Sequence, residues 1–215
     1  MSLNANIGLL SDPDKADRIF GITRGIEKEG LRIDPTGHLS NSEHPKCLGS
    51  ALTHPNITTD FSEALLEFIT EPSSSISDVM AQLSEIHQIA YQHLDKELLW
   101  ASSMPCQLGA EESIPIGRYG SSNIGMMKTI YRRGLGHRYG RRMQTIAGIH
   151  YNFSVPDSLW EDLKKAAKNT QSLKDFKSAG YFSLIRNFRR YSWLLLYLLG
   201  AAPAVCRSFV QNQNH

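Results

Sequence analysis

An α+β fold built on a mainly antiparallel sheet is what this sequence predicts, and three observations predict it. Strand-like and helix-like segments are mixed without the regular alternation that a parallel sheet requires. Residues 21–33, 58–70 and 143–155 read as strands. Behind the second of these, Ile76, Val79, Met80, Leu83, Ile86, Ala90, Leu94 and Leu98 recur at helical spacing and mark the clearest amphipathic helix of the chain.

In chain order, Asp12-Pro13 is an N-cap followed by proline at the first helical position, starting a short helix toward Phe20. The strand over 21–33 runs into Asp34-Pro35-Thr36-Gly37, a turn in which proline pre-sets one dihedral and glycine can take positive φ. Residues 40–55 are a polar loop. Residues 58–70 place Phe61, Leu65, Leu66, Phe68 and Ile69 among carboxylates. Glu71-Pro72-Ser73-Ser74-Ser75 breaks the chain and caps the amphipathic helix, on which His87 and His93 are expected to be ordinary surface or core residues. Residues 102–122, rich in Pro and Gly, form a loop of a length usually reserved for function or motion. A helix over 123–139 is expected to be interrupted by Gly134 and Gly136. Pro156-Asp157 opens another helix over Leu159, Trp160 and Leu163, and a long one runs from Ser172 to about Leu199, ended by Gly200 and Pro203.

The length of 215 residues suits one large domain or two small ones, and 41% hydrophobic residues suffice for a sizeable core. The apolar run over 193–202 is about half of the ~20 residues that span a bilayer, so it reads as a buried helix and no membrane is expected. Net charge is only +2, so any basic patch must be local. Cys47, Cys106 and Cys206 are widely spaced with no CxxC pair, which does not look like a disulfide framework or a zinc site and fits a reducing compartment. The N-terminus lacks the pattern of a secretion signal, and a cytoplasmic protein is expected.

Four sets of residues bear chemistry. In Gly25-Ile26-Glu27-Lys28-Glu29-Gly30-Leu31-Arg32, strand alternation points Glu27 and Glu29 the same way. Like charges that close need a cation between them, and hard oxygen ligands suit Mg²⁺ or Mn²⁺; a solvated strand face would carry the same pattern. In Thr58-Thr59-Asp60-Phe61-Ser62-Glu63-Ala64-Leu65-Leu66-Glu67, Glu63 and Glu67 share parity, whereas Asp60 would join them only through a bulge or a late strand start. Gln144, His150 and Asn152 share parity on the third strand, with Gly148 leaving room for a ligand at the backbone; a hydrogen-bonded core histidine is the alternative for His150. Lys128, Tyr131, Arg132, Arg133, His137, Arg138, Arg141 and Arg142 could serve nucleic acid, phosphates or carboxylates, or simply form a solvated helix face, and the near-neutral chain weakens the nucleic-acid reading. Paired acids on two strands, a histidine on a third and arginines nearby suit a metal–nucleotide site for phosphoryl transfer. No GxxxxGK[ST] or GxGxxG motif is present.

On these residues the sequence resembles the proteobacterial type of glutamate–cysteine ligase, also called γ-glutamylcysteine synthetase. The matching stretches include residues 25–32, 48–54, 57–70, 103–106 and 119–123, then Tyr131-Arg132, residues 143–146 and 148–154, Ser178-Ala179-Gly180-Tyr181-Phe182 and Ile185-Arg186-Asn187. The resemblance implies a curved antiparallel sheet with flanking helices similar to the glutamine synthetase catalytic domain. It implies ATP-dependent joining of L-glutamate to L-cysteine through γ-glutamyl phosphate, the first step of glutathione synthesis. Carried over residue by residue, it implies Glu27, Glu29, Asp60 and Glu67 as metal ligands and His150 at the metal–phosphate site. It makes Arg132 the transition-state arginine and Tyr131, Gln144 and Asn152 substrate-pocket residues. Chains of this family are more than twice as long, so residues 1–215 are expected to be the N-terminal part of one catalytic domain, inactive alone, with the C-terminal half as a candidate partner. A non-catalytic remnant that binds metal, nucleotide or another chain is the alternative.

Overall fold

Thr23–Ile33 (β1) is the strand on which the sheet is built, in a computed structural model that describes residues 11, 19–105, 107–200 and 204–210. Ile57–Thr59 (β2) pairs antiparallel with Leu65–Ile69 (β3), and β3 pairs antiparallel with β1. Leu98–Leu99 (β4) pairs antiparallel with Arg32 and Ile33, and Ile149–Ser154 (β5) also pairs with β1. The expected antiparallel sheet with flanking helices is therefore present. The chain divides into two compact units, residues 25–152 with 204–215 and residues 1–24 with 153–203. Every candidate site residue falls in the first.

In that unit Ile76–Gln92 (α1) covers one sheet face. Leu66 and Phe68 of β3 are buried with Leu83, Ile86 and Ala90 of α1 and with Leu48, Ile57 and Leu94. Burial of each such side chain stabilises by about 1.5–3 kcal/mol. Ser75 caps the helix by accepting the Asp78 N–H at 3.2 Å. The helix stops at Gln92 rather than running to Leu98, because long-range pairing outweighs the helical repeat. Asp95 turns the chain at φ 53°, Leu98 enters β4, and Glu97 meets the buried Arg32 guanidinium at 2.7 Å. His87 and His93 back-bond to the carbonyls of Leu83 and Ile89 and take no part in the acidic face.

The strand expected over 58–70 is instead two strands joined by a turn at 60–64. Asp60 N–H bonds Leu65 O at 3.0 Å, and Ser62 Oγ donates to Pro115 O at 2.7 Å. The turn contains no Gly, Pro or Asn, and it is held from outside. The Glu63 carboxylate accepts the His44 N–H at 2.9 Å and the Arg118 N–H at 2.7 Å. Likewise the third expected strand begins only at Ile149, since Met143–Thr145 is a single 3₁₀ turn with Thr145 buried. Asn123–Tyr139 (α2) runs uninterrupted through Gly134 and Gly136, each tolerated at a cost of about 1 kcal/mol. At Gly136 a Cβ would lie 3.2 Å from the Phe61 ring, so the glycine admits close packing. Arg207–Val210 (α5) closes this unit with Phe209 buried.

In the other unit, Asp157–Ala166 (α3) packs on Leu173–Leu199 (α4) through Trp160. Its indole lies against Gly180 and meets the rings of Phe176 and Tyr181 with centroids 6.3 and 5.0 Å away. The run from Trp193, expected to be buried, is exposed: no residue of α4 is buried, and Leu199 is 83% exposed. Apolar composition predicts burial only where another surface meets the helix, and none among the described residues covers this one. No helix among them is long and apolar enough to cross a membrane. The expected helix from Asp12 lies mostly, and Cys106 wholly, outside the described residues; the Cys47 thiol donates to the His93 carbonyl at 3.7 Å, and Cys206 Sγ accepts from the Ser208 hydroxyl at 3.4 Å.

Candidate metal centre

β1 and β3 set the acidic face. Glu27 and Glu29 project from the side of β1 opposite α1, and Glu29 stands directly across from Glu67 in the antiparallel register. β5 adds His150 and Asn152. His150 Nδ1 is 3.0 Å from Glu27 Oε2, and Asn152 Nδ2 donates to Glu27 Oε1 at 2.9 Å. Glu27, Glu67 and His150 each offer one ligand atom, and these atoms lie within 4.8 Å of one another. Glu29 Oε2 accepts the Gly148 N–H at 2.6 Å, so this carboxylate fills the space that the glycine was expected to leave for a ligand. Asp60 reaches the same face from the turn after β2. Arg132 Nη2 lies 3.8 Å from Asp60 Oδ1, and Arg132 Nε donates to the Asp60 main-chain oxygen.

The crowding of acids is only partly balanced by His150 and Arg132. Partial burial, and then the negative charges of Asp60, Glu29 and Glu27, push the Glu67 carboxyl up to about 7. Burial also raises Glu29, against the Gly148 hydrogen bond. The hydrogen bond to Glu27 raises His150 above the usual imidazole range. Carboxylate oxygens with one imidazole are donors that suit a hard divalent cation such as Mg²⁺ or Mn²⁺. The residues able to hold it are Glu27, Glu67 and His150, with Glu29 and Asp60 beside them.

The sequence profile of the glutamate–cysteine ligase family matches residues 7–215. The chain belongs to the glutamate–cysteine ligase family. It is 58% identical over 206 residues to the glutamate–cysteine ligase of Saccharophagus degradans, covering 96% of this chain and 39% of that protein. It is 54% identical over 213 residues to that of Alcanivorax borkumensis, covering 99% and 41%. The chain thus spans about two fifths of the length of these curated relatives. Among solved structures it is similar to the glutamate–cysteine ligase of Francisella tularensis in complex with AMP, with a TM-score of 0.81 at 39% identity over 90% of this chain and 38% of that one. It also resembles a bifunctional glutathione synthetase from Pasteurella multocida, with a TM-score of 0.78 at 33% identity over 89% and 25%.

The other residues implied by resemblance to glutamate–cysteine ligases are not drawn into the cluster. Tyr131 is 63% exposed and forms no side-chain hydrogen bond to a described residue. Gln144 sits in the 3₁₀ turn before β5, so the parity expected to align it with His150 and Asn152 does not apply. Two members of the basic set are spent on the main chain. Arg141 donates to the carbonyls of Glu112 and Ile114, and Arg142 to those of Gly109 and Ser208. Sequence reasoning passed over Tyr119, which packs beneath Arg132 and bonds the main chain of Asp60. Its signals were its place in a long Gly- and Pro-containing loop and at the start of the matching stretch 119–123, neither of which gave it a role.

Proposed function

We propose that the chain acts as the N-terminal part of an ATP-dependent ligase joining the γ-carboxylate of L-glutamate to the amine of L-cysteine, the first step of glutathione biosynthesis. In this reading ATP phosphorylates glutamate, the cysteine amine displaces phosphate from γ-glutamyl phosphate, and ADP and phosphate are released. Glu27, Glu29, Asp60, Glu67 and His150 would hold Mg²⁺ or Mn²⁺, which when bound neutralises nucleotide phosphates. Asn152 and His150 hold the Glu27 carboxylate, one at each oxygen. Arg132, fixed on the main chain of Asp60, presents its guanidinium to charge moving with the phosphoryl group. Tyr131 is free to meet a substrate, and Gln144 remains a candidate pocket residue. Residues 1–215 form part of one catalytic domain here, and turnover needs groups from the further length that the relatives possess.

The observation that carries this reading is the convergence of Glu27, Glu67 and His150 within 4.8 Å beside Asp60 and Arg132. γ-Glutamylcysteine formation is the test. It would be measured for the chain alone and for the chain joined to the C-terminal segment of the Saccharophagus degradans relative. We expect Mn²⁺ binding but negligible turnover by the first, and turnover by the second that Glu67→Gln removes. Undiminished turnover in the Glu67→Gln form would sink the reading. Metal binding without turnover in either form would identify a non-catalytic remnant.

A further inference from the structure

Tyr119 is 5% exposed and comes from the long loop before α2. Its hydroxyl lies 2.6 Å from Thr59 O and 2.8 Å from Asp60 O, at the point where β2 gives way to the turn. The same Asp60 carbonyl oxygen accepts Arg132 Nε. Over the Tyr119 ring stand two cations from successive turns of α2: the Arg132 guanidinium carbon is 4.5 Å from the ring centroid and Lys128 Nζ 5.2 Å. Stacking covers one face of the guanidinium and restricts its rotation. Arg132 Nη1 also donates to Lys128 O at 3.2 Å, which leaves Nη2 toward the Asp60 carboxylate.

The local sequence is shaped to allow this. A Cβ at Gly117 would sit 3.1 Å from the Tyr119 hydroxyl and 3.3 Å from Asp60 O. A Cβ at Gly125 would sit 2.4 Å from Tyr119 O, so the first turn of α2 lies hard against the Tyr119 main chain. One residue thus touches the carbonyl of an acidic site residue and the guanidinium beside it with its side chain, and the helix that carries that guanidinium with its main chain.

We infer that Tyr119 is a positioning residue that holds Arg132 and Asp60 as one unit, its hydroxyl fixing the Asp60 main chain and its ring fixing the guanidinium. The geometry stands by itself; the consequence for metal binding rests on the metal-centre reading above. Tyr119→Phe removes the hydroxyl and keeps the ring, whereas Tyr119→Leu removes both.

The test uses two readouts on the 215-residue chain. The first is hydrogen exchange of the Arg132 Nε–H, followed by nitrogen-edited NMR. The second is Mn²⁺ affinity by calorimetry. Tyr119→Phe should speed the exchange and weaken Mn²⁺ binding by about three- to tenfold, the value of one hydrogen bond. Tyr119→Leu should exceed it in both, and combining Arg132→Ala with Tyr119→Phe should give less than the product of the single effects on Mn²⁺ affinity. Gly180→Ala in the other unit serves as the control, lowering the melting temperature while moving neither readout. Unchanged Arg132 exchange in both Tyr119 variants overturns the inference, as does faster exchange with wild-type Mn²⁺ affinity. Failure of the unaltered chain to bind Mn²⁺ counts against the metal centre instead, and the exchange result then decides the role of Tyr119.

Discussion

Glu29 and Glu67 face each other across the β1–β3 ladder, two carboxylates at directly opposed positions of an antiparallel pair. Such a pair destabilises a sheet unless a proton or a cation lies between its members. Each prediction about the site follows from that repulsion.

Stability of the metal-free chain should fall as pH rises from about 4.5 to about 7. Glu67 ionises near 4.5 when unfolded but near 7 when folded, so the fold holds an extra proton between those values and loses that advantage above them. His150, raised by Glu27, acts in the same direction, since its favourable charge is lost as pH rises through its folded-state value. Thermal melts from pH 5 to 8 should show the decline. Mn²⁺ should raise the melting temperature more at pH 8 than at pH 5, where protons compete for the same oxygens.

Glu67→Gln should stabilise the metal-free chain at pH 8 while weakening Mn²⁺ binding tenfold or more, about 1.4 kcal/mol. Melting temperature and calorimetric affinity moving in opposite directions distinguish a ligand from a structural carboxylate. A loss in both would assign Glu67 to the architecture of the sheet.

Arg32→Met should destabilise the larger unit by about 3–5 kcal/mol in urea titrations, the usual cost of removing one partner of a buried ion pair. The guanidinium is fully buried and serves Glu97, Ser42 and the Glu63 carbonyl together. Mn²⁺ affinity of the folded fraction should change little, because Arg32 does not touch the acidic cluster.

Gly180→Ala should cost about 1–3 kcal/mol through overpacking. Its Cβ would lie 2.4 Å from Trp160 Cζ3 and 2.6 Å from Cη2, in a site closed by two further aromatic rings. Tryptophan fluorescence during unfolding would report it.

The sheet and most of its acidic face were legible because strand alternation is local. Glu27 and Glu29 share a face by parity, and the residues of α1 repeat at helical spacing. What was hidden depends on distant partners. The turn at 60–64, which carries Asp60 to the site, has no Gly, Pro or Asn and is fastened through Glu63 to His44 and Arg118. Gln144 was assigned to a strand that begins five residues later, since Met143–Thr145 closes a 3₁₀ turn against Arg142. Tyr119 lay in a stretch that matches the family, residues 119–123, but its role could not be read, because the groups it binds are far away in sequence or across an irregular loop.

α4 presents a rod of 27 residues, about 40 Å long, with its aromatic and aliphatic side chains in water. Such a surface is adhesive. Concentrated solutions of this polypeptide should scatter light increasingly as salt is added, and a mild detergent should clear them. Handling in the laboratory will be governed by that helix rather than by the acids across the sheet.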